Sequence, residues 1–89
     1  ADSITREQMA VMLYRYAGYL GYDTDKKAEL DRFDDAEKVS GFAKDAMEWA
    51  VEHGIISGKS KGAILDPQGS ASRSECAAVI WRFRKAYAE

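Results

Sequence analysis

The stretch "SASRSECAAVIWRF" (residues 70–83) repeats, in kind, the stretch "SITREQMAVMLYRY" (residues 3–16). In register, Thr5 stands opposite Ser72, Arg6 opposite Arg73, Gln8 opposite Glu75, Ala10 opposite Ala77, Tyr14 opposite Trp81 and Tyr16 opposite Phe83. Each stretch places a hydroxyl residue three positions before Gln or Glu. That spacing makes a capping box: the hydroxyl accepts the third backbone N–H of a helix, and the longer side chain reaches back to the cap. Apolar residues then recur at helical spacing. Each helix also carries an arginine in its first turn, where the macrodipole disfavours a cation by about 0.3–1 kcal/mol.

The first helix is predicted over residues 6–20, with Ile4 and Met9 at the hydrophobic-staple positions. Met9, Leu13, Tyr16 and Leu20 form its expected buried stripe, and Gly21 supplies the left-handed stop. A polar linker follows, with Tyr22, Leu30 and Phe33 as its packing points. The second helix is expected to start after Ser40 as its cap and to run to about His53. Phe42, Ala46, Met47, Trp49 and Ala50 make its apolar side, and Gly54 ends it. Glycines 54, 58, 62 and 69 with Pro67 then forbid a long regular element, leaving at most a short strand pair among Ile55, Ile56, Ile64 and Leu65. The third helix starts after Ser72, with Cys76, Val79, Ile80, Phe83 and Tyr87 as its stripe. The fold class is all-α: a small bundle of three main helices with structured glycine-rich loops.

A chain of 89 residues forms one small domain and buries only about 60–65% of its unfolded surface. Hydrophobic residues at 46% and charged residues at 31% are globular, not disordered, proportions. A net charge of −2 argues against a nucleic-acid partner, which selects a basic excess. The single cysteine, Cys76, excludes an intrachain disulfide and reads as a small buried hydrophobe. No apolar run approaches the ~18 residues of a membrane span, so no membrane insertion is expected. The chain opens at a helix start, which suggests a piece of a longer protein. The lack of a signal peptide then says nothing about secretion.

Between the two copies, 67 residues apart (73 − 6), lies one cycle of linker, helix, glycine loop and helix. Phe33 and Asp35, then Phe42-Ala43, Gly54-Ile55-Ile56 with Gly58, Leu65 with Pro67, and Ser72-Arg73-Ser74-Glu75 follow one another in order. This succession resembles the S-layer homology module of bacterial cell-surface proteins. The resemblance covers residues 33–87, with a partial copy, Thr5-Arg6-Glu7-Gln8, at the front. It implies that residues 1–21 are the terminal helix of a preceding module, 22–32 a linker and 33–89 a complete module.

The resemblance further implies a non-catalytic anchor that holds a secreted protein at the bacterial cell wall, outside the cell. Modules of this kind work in sets of three around a pseudo-threefold axis. They bind a secondary cell-wall polysaccharide, often one bearing pyruvate ketals, and the motif arginine is the main contact to the acidic sugar. Carried over, that role falls to Arg73, and to Arg6 in the partial copy. Other modules of the same parent chain are implied as partners. The alternative to anchoring is a structural spacer of a larger surface protein or a protein–protein assembly module, in which apolar surface that a third module would cover drives self-association of the fragment. The sequence departs from the family pattern at Ser72, which replaces Thr, at Ser74 and Glu7, which replace Ala, and at Gln8, which replaces Glu. The loop "GKSKGAILDPQG" lacks the common Asp-Gly.

Two readings of Arg6 and Arg73 follow from physics. In one, the guanidinium pairs with a nearby carboxylate such as Glu75, Asp35 or Asp66 and stitches the module. In the other, free N–H groups, the dipole and the guanidinium together hold an anion. Trp81 and Tyr14 are core residues or rim platforms for a sugar ring, and Trp49 is core. His53 lacks any metal-site spacing and is structural. The acidic run Asp31, Asp34, Asp35, Glu37 lacks the alternation of a calcium loop; Asp35 is expected to bond backbone. Arg82, Arg84 and Lys85 complement the dipole at a helix end. No nucleophile elbow, zinc motif or phosphate loop is present, so neither catalysis nor a cofactor or metal is expected. The candidate ligand-binding residues are Arg73, Arg6, Trp81, Tyr14 and Asp35.

Overall fold

Both capping boxes form. Thr5 Oγ1 accepts the Gln8 N–H at 3.1 Å while Gln8 Oε1 accepts the Thr5 N–H at 2.9 Å. Ser72 and Glu75 make the same exchange at 3.1 Å each way. The computed structural model, which describes residues 4–59 and 62–88, opens α1 (Arg6–Tyr19) and α3 (Arg73–Ala86) at these caps. Between them lie two 3-10 turns, Ala36–Lys38 and Gly41–Ala43, and then α2 (Lys44–Glu52). The all-α class holds, and no strand occurs among the described residues. The strand pair allowed by the sequence is reduced to one isolated bridge, Lys59 to Ile64. A second bridge, Thr5 to Ser70, sets the two capping boxes side by side.

Glycine stops work as expected in two places. Gly21 sits at φ 80° and Gly54 at φ 70°, conformations in which a Cβ is strained. The Tyr22 N–H returns to the Ala17 carbonyl, and the Ile55 N–H to that of Ala50, closing α1 and α2 with the six-to-one bond of a Schellman motif.

α2 is the centre of the core. Ala46, Met47, Trp49 and Ala50 are buried, with Trp49 at 0% exposure. Met9, Ala10 and Ala17 of α1 pack in the same core as Leu30, Phe33, Ile55, Ile56, Leu65 and, from α3, Val79 and Phe83. The indole N–H of Trp49 donates to the Tyr87 hydroxyl at 2.8 Å, which donates in turn to the Asp23 carbonyl at 2.8 Å. The buried indole therefore keeps its polar group satisfied. Tyr22 stacks on Tyr87 at 4.5 Å, and the His53 ring packs against those of Trp49 and Tyr87. His53 Nε2 is buried without a hydrogen-bond partner among the described residues.

Three expectations are corrected. Ser40 does not cap α2: a 3-10 turn intervenes, Ala43 holds the cap position, and the Ser40 N–H and hydroxyl turn to Glu7. Phe42 lies in that turn, outside the α-helical phase, and is 67% exposed. The stripes are also misplaced, because Tyr16 and Leu20 of α1 and Ile80 of α3 are exposed.

The cause is that the two copies use different faces. α1 buries Arg6, Ala10 and Ala17, whose counterparts Arg73, Ala77 and Arg84 are exposed on α3. α3 buries Val79 and Phe83, whose counterparts Met12 and Tyr16 are exposed on α1. Each helix carries apolar residues around much of its circumference. Period alone does not say which side meets α2.

Candidate functional site at the seam of α1 and the module

The first turn of α1 is set into the turn "LDPQG" (residues 65–69). The Arg6 N–H donates to the Gly69 carbonyl at 2.9 Å and the Glu7 N–H to the Pro67 carbonyl at 3.0 Å. The guanidinium of Arg6 donates from Nε to the Leu65 carbonyl at 2.7 Å and from Nη2 to the Ser57 carbonyl at 2.8 Å. Its Nη1 pairs with Glu75 Oε2 at 2.5 Å. Arg6 is only 5% exposed, so the negative partner of this first-turn cation is a ring of carbonyls and one carboxylate. Stitching is what the guanidinium of Arg6 does here. Beside it, buried Glu7 accepts from the Ser40 N–H at 2.9 Å and the Ser40 hydroxyl at 2.6 Å.

Asp35 builds the socket from beneath. Its two carboxylate oxygens accept the N–H groups of Leu65 and Asp66 at 2.8 Å each. These bonds hold the turn with Asp66 in the left-handed region at φ 52°. Burial pushes the Asp35 carboxyl upward, but the two N–H donations outweigh it and hold the group below the usual carboxylate range. Glu75 is likewise held low, chiefly by the Ser72 N–H and also by Arg6, against the effect of burial.

A cleft of about 340 Å³ opens beside Arg6, walled by Ser57, Gly58 and Lys59 on one side and Ser74, Glu75 and Arg82 on the other. Three cations thus border it against one carboxylate, which is already committed to Arg6. Lys59 also pairs with Asp66 at 3.0 Å, in an exposed bridge. Arg6 and Lys59 spend their donors on protein acceptors, so Arg82 is the cation of the cleft with no recorded partner among the described residues.

The other candidates are dispersed. Tyr14 packs edge-on to Trp49 at 5.5 Å. Its counterpart Trp81 is 61% exposed, with Lys85 Nζ 4.8 Å from the ring centroid. Arg73 is exposed and has no partner among the described residues, and the N–H groups of Arg73 and Ser74 likewise have none. The structure gathers Arg6 and Asp35 about one turn, buries Asp35, and leaves Arg73 and Trp81 on open helix surface. Sequence reasoning missed the cleft residues Ser57, Lys59 and Arg82. The available signal was Gly58, where an added Cβ would stand 2.8 Å from the Gly62 backbone. A glycine required for close approach marks a shaped loop.

The S-layer homology domain matches residues 32–77, just over half of the chain, and the chain belongs to that family. It is 34% identical over 80 residues to an exoglucanase XynX of Acetivibrio thermocellus, covering 90% of this chain and 7% of that protein. It is 31% identical over 80 residues to an amylopullulanase of Thermoanaerobacterium thermosulfurigenes, covering 90% of this chain and 4% of the relative. An endoglucanase of a Bacillus species (strain KSM-635) is 33% identical over 79 residues, 89% of this chain and 8% of its own length. The chain therefore spans less than a tenth of these relatives, whose enzymatic names refer to whole proteins of which the match is a small part. No solved structure matches. Domains of this family are in general cell-surface anchoring modules of secreted proteins and bind cell-wall polymers.

Proposed function

We propose that this chain is a non-catalytic anchor that holds its parent protein to an acidic polysaccharide of the bacterial cell wall. The observation that carries the reading is the cationic cleft at the α1 seam. Arg6 lies at its base, fixed by three acceptors, while Lys59 and Arg82 stand at its walls. A carboxylate on a sugar, such as a pyruvate ketal, meets positive charge there: Arg82 has no recorded partner among the described residues, and Lys59 exchanges its exposed bridge to Asp66 for the ligand. Arg73 offers a second, exposed guanidinium, beside two N–H groups with no acceptor among the described residues. Trp81 offers a ring face to the sugar.

The test is retention of the chain on purified wall sacculi. Arg82→Ala and Arg73→Ala each remove one charge-assisted contact, worth about 1.5–3 kcal/mol and hence roughly ten- to a hundred-fold in affinity. Retention that also weakens with added salt supports the ionic reading. Retention unchanged in the double variant, with the fold intact by circular dichroism, sinks it.

A second reading, self-association, is favoured by one observation. Tyr16, Leu20, Tyr22 and Ile80 line an open apolar groove between α1 and α3. Sedimentation over a dilution series decides it: a strict monomer at every concentration removes this reading.

A further inference from the structure

We propose that Asp66 is an internal rival of the acidic sugar: its carboxylate occupies the Lys59 ammonium and so holds down the affinity of the α1 cleft. The proposal rests on the anchoring reading and gives that site an autoinhibitory residue.

The turn places the rival carboxylate. Asp66 is the one non-glycine residue with a left-handed backbone among the described residues, at φ 52°. Its N–H donates to Asp35 Oδ2 at 2.8 Å, and its carbonyl accepts the Gly69 N–H at 3.0 Å. A Cβ at Gly69 would collide with the Asp66 carboxylate, so the glycine makes room for that group over the turn. From there Asp66 Oδ2 meets Lys59 Nζ at 3.0 Å. The Lys59 backbone is held as well: its N–H donates to the Ile64 carbonyl at 2.7 Å, and its carbonyl accepts the Ala63 N–H at 2.9 Å. With both backbones fixed, only the flexible lysine stem has to rotate to pass the ammonium from Asp66 to an anion in the cleft.

The cations of the cleft are therefore held unequally. The Arg6 side chain is 6% exposed and stays with its protein acceptors. The side chains of Lys59 and Asp66 are 46% and 38% exposed, and a pair so open to water is held weakly. One carboxylate can replace another there. An anion in the cleft gains the whole attraction of Arg82, which has no partner among the described residues, but at Lys59 it gains only the new pair less the one given up. A neutral hydroxyl is a weaker partner for an ammonium than a carboxylate and leaves the Asp66 bridge closed. Asp66 thus lowers affinity and favours acidic ligands over neutral ones.

Asp66→Asn tests it. Asn keeps the size of the side chain and also adopts the left-handed conformation, so the turn is retained. Binding to purified wall sacculi is measured at about 0.15 M salt, where charges more than about 8 Å apart are largely screened. Asp66→Asn is expected to bind about two- to fivefold tighter than the parent, the equivalent of one exposed ion pair. In a Lys59→Met background, which keeps most of the stem without its charge, that gain is expected to vanish. An equal gain in both backgrounds overturns the proposal, because it assigns the effect to net charge. Unchanged or weaker binding by Asp66→Asn overturns it as well. A second readout needs no polysaccharide: in the NMR spectrum of the free chain, Asp66→Asn is expected to shift the Lys59 ε-methylene signals, and unmoved signals overturn the proposal by showing no bridge. If neither the parent nor any variant binds sacculi, the anchoring reading fails and takes the proposal with it, whereas a gain that ignores Lys59 defeats the proposal alone.

Discussion

Glu75 closes the capping box of α3 with one carboxylate oxygen and grips Arg6, 69 positions earlier, with the other. One side chain thus starts the last helix and locks the first. This coupling makes the two copies of the arginine motif energetically unequal, although their sequences match.

Arg6→Ala strands Glu75 and the carbonyls of Leu65 and Ser57. Breaking a buried pair of this kind costs about 3 kcal/mol, somewhat less here because Glu75 is partly exposed. Arg6→Lys recovers little of it, since an ammonium cannot reproduce the planar fork that meets three acceptors. Arg73→Ala, at an exposed site, stays within about 0.5 kcal/mol of the parent. Urea unfolding of the three variants is the check. Equal losses at Arg6 and Arg73 contradict the inequality.

Acid weakens the fold. The carboxyls of Asp35 and Glu75 titrate lower in the folded chain than when free. The unfolded chain therefore binds more protons than the folded one at pH values around and below about 4. The stabilisation is fully present above the unfolded pKa values and is lost as pH falls through the folded ones. The urea midpoint is expected to be flat on this account from pH 7 to 5 and to decline below about pH 4. Glu75→Gln makes the decline shallower, and an unaltered acid slope in that variant counts against the assignment.

The two tryptophans report opposite environments. Trp81→Phe leaves only Trp49, whose emission is expected to be blue-shifted and nearly silent to acrylamide. Trp49→Ala empties the centre of the core and costs about 3–5 kcal/mol, whereas Trp81→Ala costs less than about 0.5 kcal/mol. Acrylamide quenching that is equal for the two residues shows the core to be wrongly assigned.

Gly58→Ala drives a Cβ into the Gly62 backbone. The rigid neighbour cannot swing aside as a flexible side chain does, so a loss of about 1–3 kcal/mol is expected. The same substitution distorts the Ser57–Lys59 wall of the cleft. Wall retention should fall in Gly58→Ala even where the fold survives at low temperature. Retention and midpoint both equal to the parent's disprove the steric account.

Local chemistry determined much of this protein from sequence alone. A hydroxyl and a carboxyl or amide three positions apart suffice to start α1 and α3, and Gly21 and Gly54 suffice to end α1 and α2. Those bonds lie within a turn and need no partner. Trp49, Ala46 and Ala50 were legible as core because their helix has one apolar side, and the ordered motifs from Phe33 to Glu75 were legible as a family. Tertiary structure decided which face of α1 and α3 is buried, since apolar residues surround both helices. It also decided what each first-turn arginine meets: Arg6 finds carbonyls of Ser57 and Leu65 and the carboxylate of Glu75, more than fifty residues along the chain, while Arg73 finds none of these. The physical reason is that a cap is satisfied by its own neighbours, whereas a charge at a helix start takes its meaning from whatever the fold brings opposite it.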